Sequence, residues 1–190
     1  EEYKWLNLKQ EVLDHLEEGT FQHTIMAFWE YLLLLEVTNR ILQIDKSRHL
    51  TSDTLREPYM KLEEAYKIEN YTSSGDFSDR MSRLMDRLQK KFDQLKIDGK
   101  LRLSSPEVTG LIHQTNIKEL KLTLLEYLKH KERIWILFDN LDKGWPSSGL
   151  TDQDVLIIRS LIDASNNIKR YFEKARVNLY PVIFLRSDVY

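Results

Sequence analysis

Acidic and amide side chains follow directly on an apolar run in the second half of the chain. The run Ile134 to Phe138 reads IWILF, and the next residues are Asp139, Asn140, Leu141 and Asp142. A continuous apolar run of this length is typical of a parallel strand covered on both faces, and ligands bind at the carboxyl ends of such strands. A carboxylate there is available to a hard cation, for which Mg²⁺ with nucleotide phosphates is the obvious candidate. The pattern therefore predicts Asp139 as a metal ligand.

A second apolar run, at 180–185, also ends in polar residues, namely Arg186, Ser187 and Asp188. Between the two runs, the segment 151–175 is predicted to be a helix that begins with a variant capping box, Thr151 to Asp154. Strand, helix and strand in this order are typical of a parallel βαβ unit, which brings both strand ends to one edge. Alternatively, Asp139 and Asp142 only begin a loop and cap a turn. The second polar cluster favours the ligand site over that interpretation.

With Ile134 to Asp142 and Val182 to Asp188, the chain resembles the Walker B and sensor strands of KAP-like and STAND-like P-loop ATPases. The resemblance implies an α/β fold with a partial RecA-like core of parallel strands, joined here to a large, mainly helical region. It also implies that Asp139 holds the Mg²⁺ of MgATP, usually through water. Arg186 or Ser187 would then sense the γ-phosphate from the next strand.

The sequence departs from that family at the position after the Walker B aspartate, where many members carry a second acid and this chain carries Asn140. Asparagine can orient the attacking water but cannot accept its proton, so hydrolysis would require Asp142 to act instead. We therefore assign Asn140 and Asp142 as the candidate catalytic residues. A slow, switch-like ATPase fits this pair better than a motor.

A phosphate-binding loop of the form G-x-x-x-x-G-K-[ST] is also absent from the sequence. Without its backbone donors, these residues alone are expected to bind ATP poorly. Because both ends of the sequence look cut, we expect the loop upstream, with a helical insertion between it and Walker B.

The first 130 residues are predicted to be mainly helical. Residues 1–72 form the first region, which is a candidate insertion. One helix is predicted to end near Gly19, a second to span 21–44 and a third to span 51–68. Pro58 would be a kink or an early-turn residue of the third helix. Residues 77–130 form the second, with helices at 77–95 and 116–130 and a hairpin at 95–103. Residues 131–190 form the βαβ part, whose helix is expected to pack through Val155, Ile158, Ile162 and Tyr171.

The composition and net charge of the chain indicate few partners. The formal net charge is −2, and cysteine is absent, which excludes disulfides and fits a reducing compartment, with cytoplasm as the default. Glu30 and Glu36 interrupt the most apolar stretch, so no membrane anchor is expected. Basic residues lie off the apolar stripe of helix 77–95 among three aspartates, which is more often a solvated face than a nucleic-acid contact: Arg80, Arg83, Arg87, Lys90 and Lys91.

Two functions follow from these patterns. The first is an ATP-binding, Mg²⁺-dependent switch, for which the resemblance implies a regulatory role in a bacterial defence or stress system, with a homo-oligomer or effector as partner. The second is a noncatalytic interaction module on a degenerate ATPase core, with the helices at 77–95 and 116–130 binding partners.

Overall fold

A computed structural model describes residues 20–69, 117–139 and 152–184, and nine single residues between 75 and 110. The elements in these ranges are α1 (Thr20–Ile44), a 3₁₀ helix (Arg48–Leu50), α2 (Asp53–Ile68), α3 (Ile117–Leu128), β1 (Ile134–Phe138), α4 (Asp152–Lys174) and β2 (Leu179–Ile183).

The described chain is mostly helical with a small two-stranded parallel sheet, an arrangement that is compatible with the predicted α/β class. Helix and strand bounds agree with the sequence to within one or two residues. Pro58 lies inside α2, where its missing N–H leaves one turn without a hydrogen bond. The predicted helix before Gly19, the hairpin at 95–103 and the capping residue Thr151 lie outside the described residues.

Strands β1 and β2 pair in parallel, with α4 as the connection between them. Ile134 lies opposite Leu179 and Phe138 lies opposite Ile183, so the pairing runs the full length of both strands. Parallel neighbours cannot be joined by a tight turn, and a helix is the usual connection. The predicted βαβ unit is therefore confirmed.

Helix α1 is the centre of the core, as its apolar residues on more than one face predict. Its fully buried side chains include Ile25, Tyr31, Leu32 and Leu35. One cluster of buried residues joins α1 to α2, α3, α4 and β2. The helical region and the βαβ unit therefore share one hydrophobic core.

The predicted packing side of α4 is wrong for two of its residues, because Val155 and Ile162 are exposed. Ile158 and Tyr171 are only partly buried. The buried stripe instead runs through Leu161, Ala164, Ile168 and Phe172, beside the small buried Ser160 and Ser165. Periodicity allowed both stripes, and the one with small side chains faces the core, since small residues let helices approach closely.

Polar contacts fix how α1 sits on α4. The indole Nε1 of Trp29 donates to the Ile157 carbonyl oxygen at 3.2 Å, and Asn167 Nδ2 donates to Glu30 Oε1 at 2.9 Å. Direction-dependent contacts of this kind specify one arrangement, which apolar packing alone does less strictly.

Asp45, just after α1, is a buried carboxylate that joins three parts of the chain. Its Oδ2 accepts hydrogen bonds from the Tyr127 hydroxyl at 2.7 Å and from the Lys131 ammonium, while the Arg48 guanidinium lies 3.4 Å from Oδ1. Burial opposes the charged form, but the hydrogen bonds from Lys131 and Tyr127 and the nearby cations outweigh it and lower the Asp45 pKa. The network ties α1 to α3 and to the residues that lead into β1.

We expect Asp45→Asn to lower the free energy of unfolding by about 2 kcal/mol near pH 7, because Lys131 loses its charged partner. Folding lowers the Asp45 pKa below its usual value of 3.8. The carboxylate therefore contributes fully above that value, and its contribution is lost as pH falls through the lower folded pKa. Urea unfolding from pH 7 to pH 3 should show the difference between wild type and variant shrinking at the acid end.

The matched control is Glu126→Gln, which removes the exposed ion pair to Lys129. An exposed pair contributes about 0 to 1 kcal/mol, so this variant should unfold almost like wild type. Equal losses in the two variants would contradict a special role for Asp45.

Candidate functional site

The carboxyl ends of β1 and β2 lie side by side at one edge of the sheet. Phe138 is opposite Ile183, and the Phe184 N–H donates to the Phe138 carbonyl oxygen at 2.9 Å. Asp139 follows at once and is exposed. Asp139 therefore lies beside the residue at which the chain leaves β2, as the βαβ pattern predicts.

The other predicted site residues lie outside the described residues. Asn140 and Asp142 follow Asp139 in sequence, and Arg186 and Ser187 follow Phe184. Of the five, the structure places Asp139.

The position of Asp139 bears on how the predicted magnesium ion could be bound. No group of three or more His, Cys, Asp or Glu side chains that could hold a metal occurs within the described ranges. Mg²⁺ does not need such a cage, because it keeps several waters and is commonly bound by one or two carboxylates plus substrate phosphates. The Asp139 carboxylate, exposed at a strand end, could supply one ligand of that kind.

Hydrogen bonds hold the opposite ends of the two strands together, and they fix the direction of β1. The Ile134 N–H donates to the Asn178 carbonyl oxygen at 2.9 Å, and Asn178 Nδ2 donates back to the Glu132 carbonyl oxygen at 3.3 Å. Lys131, immediately before these residues, is the cation bound to Asp45. The entry to β1 is therefore anchored to both β2 and α1.

One face of the sheet packs on the core and the other is open. Ile134, Ile136 and Leu179 belong to the buried cluster or contact it. Trp135 and Leu137 are 60% and 62% exposed. Within the described residues, the expectation that β1 is covered on both faces is therefore wrong, because Trp135 and Leu137 on its second face are exposed. The apolar run did not reveal this difference, since both faces carry apolar side chains.

Aromatic side chains lie along that open face. The rings of Trp135 and Tyr180 stack across the two strands with centroids 4.8 Å apart, and Phe184 is half exposed at the same end as Asp139. Cross-strand aromatic pairs stabilise sheets, so this stack supports the β1–β2 pairing from the open side.

Comparisons with known proteins give no relative from which a role could be transferred. No family model matches the chain, and neither a curated protein nor a solved structure matches it. The assignment of a function therefore rests on the residues and their geometry.

In the described part of the chain, no helix has both the length and the apolar character needed to cross a membrane.

The two faces of the sheet should respond differently to truncation. Leu179→Ala removes a buried side chain and is expected to lower the free energy of unfolding by about 2 to 5 kcal/mol, whereas Leu137→Ala on the open face should cost less than about 1 kcal/mol. Urea denaturation of both variants measures this. If Leu137→Ala lowered the free energy of unfolding as much as Leu179→Ala, the open face would be covered in solution.

Proposed function

We propose that this chain supplies the Walker B side of the ATP site of a switch-type P-loop ATPase with a RecA-like core. The observation that carries the proposal is the parallel pairing of β1 with β2, which sets Asp139 beside the exit of the next strand. In open α/β sheets this edge is where ligands bind.

Asp139 would contact Mg²⁺ through water, and the polar residues after β2 would face the terminal phosphate. Arg186 is the better candidate for a direct contact, because a guanidinium can donate two parallel hydrogen bonds to phosphate oxygens. Ser187 could donate one. Both follow Phe184, whose backbone is hydrogen-bonded to the residue before Asp139.

When bound, Mg²⁺ offsets the negative charge of the phosphates. Asn140 would orient the attacking water through its side-chain amide, and Asp142 would accept the proton from that water. Because Asn140 occupies the usual position of the acid and cannot accept the proton itself, slow turnover is expected, as a regulatory switch requires.

The first test measures magnesium-dependent nucleotide affinity. In the complete gene product, Asp139→Asn should weaken MgATP binding by about tenfold or more, because the amide has no charge for the hydrated cation. Isothermal titration with ATP, with and without Mg²⁺, measures the affinity. Metal-free ATP should bind equally well to the variant and the wild type.

The matched control is Asp53→Asn, at the start of α2 and away from the sheet. It should bind MgATP as the wild type does. If Asp139→Asn also leaves MgATP affinity and turnover unchanged, the Walker B assignment fails.

A second test separates binding from turnover. Asp142→Asn should lower kcat by about a hundredfold while changing MgATP affinity little, since general bases contribute about 10² to 10⁴ to rate. Asn140→Asp, which restores an acid at the usual position, should raise turnover. Unaltered kcat in Asp142→Asn would remove that residue from the mechanism.

The second candidate function is a noncatalytic interaction module, and the open face of the sheet favours it. Trp135, Leu137 and Phe184 present exposed apolar side chains of the kind that mark contact surfaces. Helix α3 is a poorer contact surface, because its apolar side is buried in the core and Leu122 is its exposed large apolar residue. A second copy of the chain or an effector protein would contact the open face, and this module would show no response to MgATP.

A further inference from the structure

A groove of about 570 Å³ lies far along the chain from Asp139, where the end of α1, the 3₁₀ helix and α2 meet. Its volume is within the range of about 300 to 1,000 Å³ that small-molecule sites occupy. The groove takes its side chains from three elements, so it exists only in the folded chain. Neither the charge pattern nor the periodicity of the sequence indicates it.

The floor of the groove is aromatic. The imidazole of His49 stacks on the ring of Tyr59 with centroids 4.0 Å apart and planes 5° from parallel. The Tyr59 hydroxyl donates to the Leu42 carbonyl oxygen at 2.8 Å, so its polar atom is already used. Tyr59 itself is buried, at 3% exposure, so the ring surface that a ligand can reach belongs to His49.

Two flexible apolar side chains stand on the wall of the groove. Leu50 is 74% exposed and Met60 is 51% exposed, although both lie beside the aromatic pair. Methionine packs favourably on aromatic rings and adapts to irregular shapes. Covering these side chains with an apolar ligand would remove apolar area from water, which is the main source of free energy for such binding.

The polar residues of the groove differ in whether they already have a partner. Glu63 is paired with Lys67 at 2.8 Å, so its negative charge is offset. Lys46 has no ion-pair partner among the described residues, and the Ser47 hydroxyl makes no capping hydrogen bond to the 3₁₀ helix. Within the described residues, the groove therefore presents a cation without an ion-pair partner and a hydroxyl without a capping hydrogen bond, next to an apolar surface.

From this combination we propose that the groove binds a small amphipathic anion, with an aromatic or aliphatic body and one carboxylate, sulfonate or phosphate group. The body would lie against His49, Leu50 and Met60, and the anionic group would contact the Lys46 ammonium and the Ser47 hydroxyl. The site is separate from the proposed ATP site and does not depend on it. Lys46 follows Asp45 in sequence, directly after α1. Asp45 forms the ion pair with Lys131, which precedes β1.

The probe pair 8-anilinonaphthalene-1-sulfonate and N-phenyl-1-naphthylamine tests the proposal, because the two share an aromatic body and differ in the sulfonate. Fluorescence titration of the full chain should show binding of both. Lys46→Gln should weaken the sulfonate probe by about two- to fivefold, as expected for an exposed ion pair, and leave the neutral probe unchanged. Met60→Glu should weaken both probes by about tenfold, through lost apolar contact and added charge.

Leu137→Glu, on the open sheet face, is the matched control because it places the same charge on the other exposed apolar surface. It should leave the affinity of both probes unchanged, and circular dichroism should show all three variants folded. The proposal fails if the sulfonate probe does not bind, if Lys46→Gln leaves its affinity unchanged, or if Leu137→Glu abolishes binding while Met60→Glu does not.

Discussion

The parallel pairing of β1 with β2 is the constraint on which the rest of the structure depends. Parallel strands require a long crossover, and α4 supplies it. A crossover helix must bury its own apolar side, and α1 covers α4 through the stripe that contains Ala164 and Ile168. The same pairing places the carboxyl ends of both strands at one edge of the sheet. The position of Asp139 therefore follows from the sheet, and the sheet is held by helices that are distant in sequence.

The Asp45 network joins those helices to the sheet. A carboxylate that is 1% exposed is costly to bury unless its charge is compensated, and Tyr127, Lys131 and Arg48 compensate it here. Because Lys131 lies three residues before β1, the network fixes where the strand begins. The same turn of chain contributes to the groove near His49, so one small region serves the packing of the core and the proposed ligand surface.

Much of the fold could be predicted because it depends on local patterns. The bounds of α1 and α3, the strand order and the place of Asp139 at a strand end follow from periodicity and from the acids after IWILF. The packing side of α4 could not be chosen correctly, since Val155 and Ile162 continue an apolar stripe as plausible as the buried one. The Asp45 network joins residues more than 80 positions apart, and no local pattern reports such a contact. The open side of β1 could not be recognised because Trp135 and Leu137 are as apolar as the partly buried Ile134 and Ile136.

Paramagnetic broadening by MnATP tests the central claim most directly, since Mn²⁺ can replace Mg²⁺ and even weak binding broadens nearby amide signals. In the ¹H–¹⁵N spectrum of this chain, the signals of Phe138, Asp139 and Phe184 should broaden first. Those of Ile134 and Leu179, at the other end of strands about 15 Å long, should persist. Asp139→Asn should restore the broadened signals. Broadening centred elsewhere, or equal along both strands, would contradict a metal-nucleotide site at this edge.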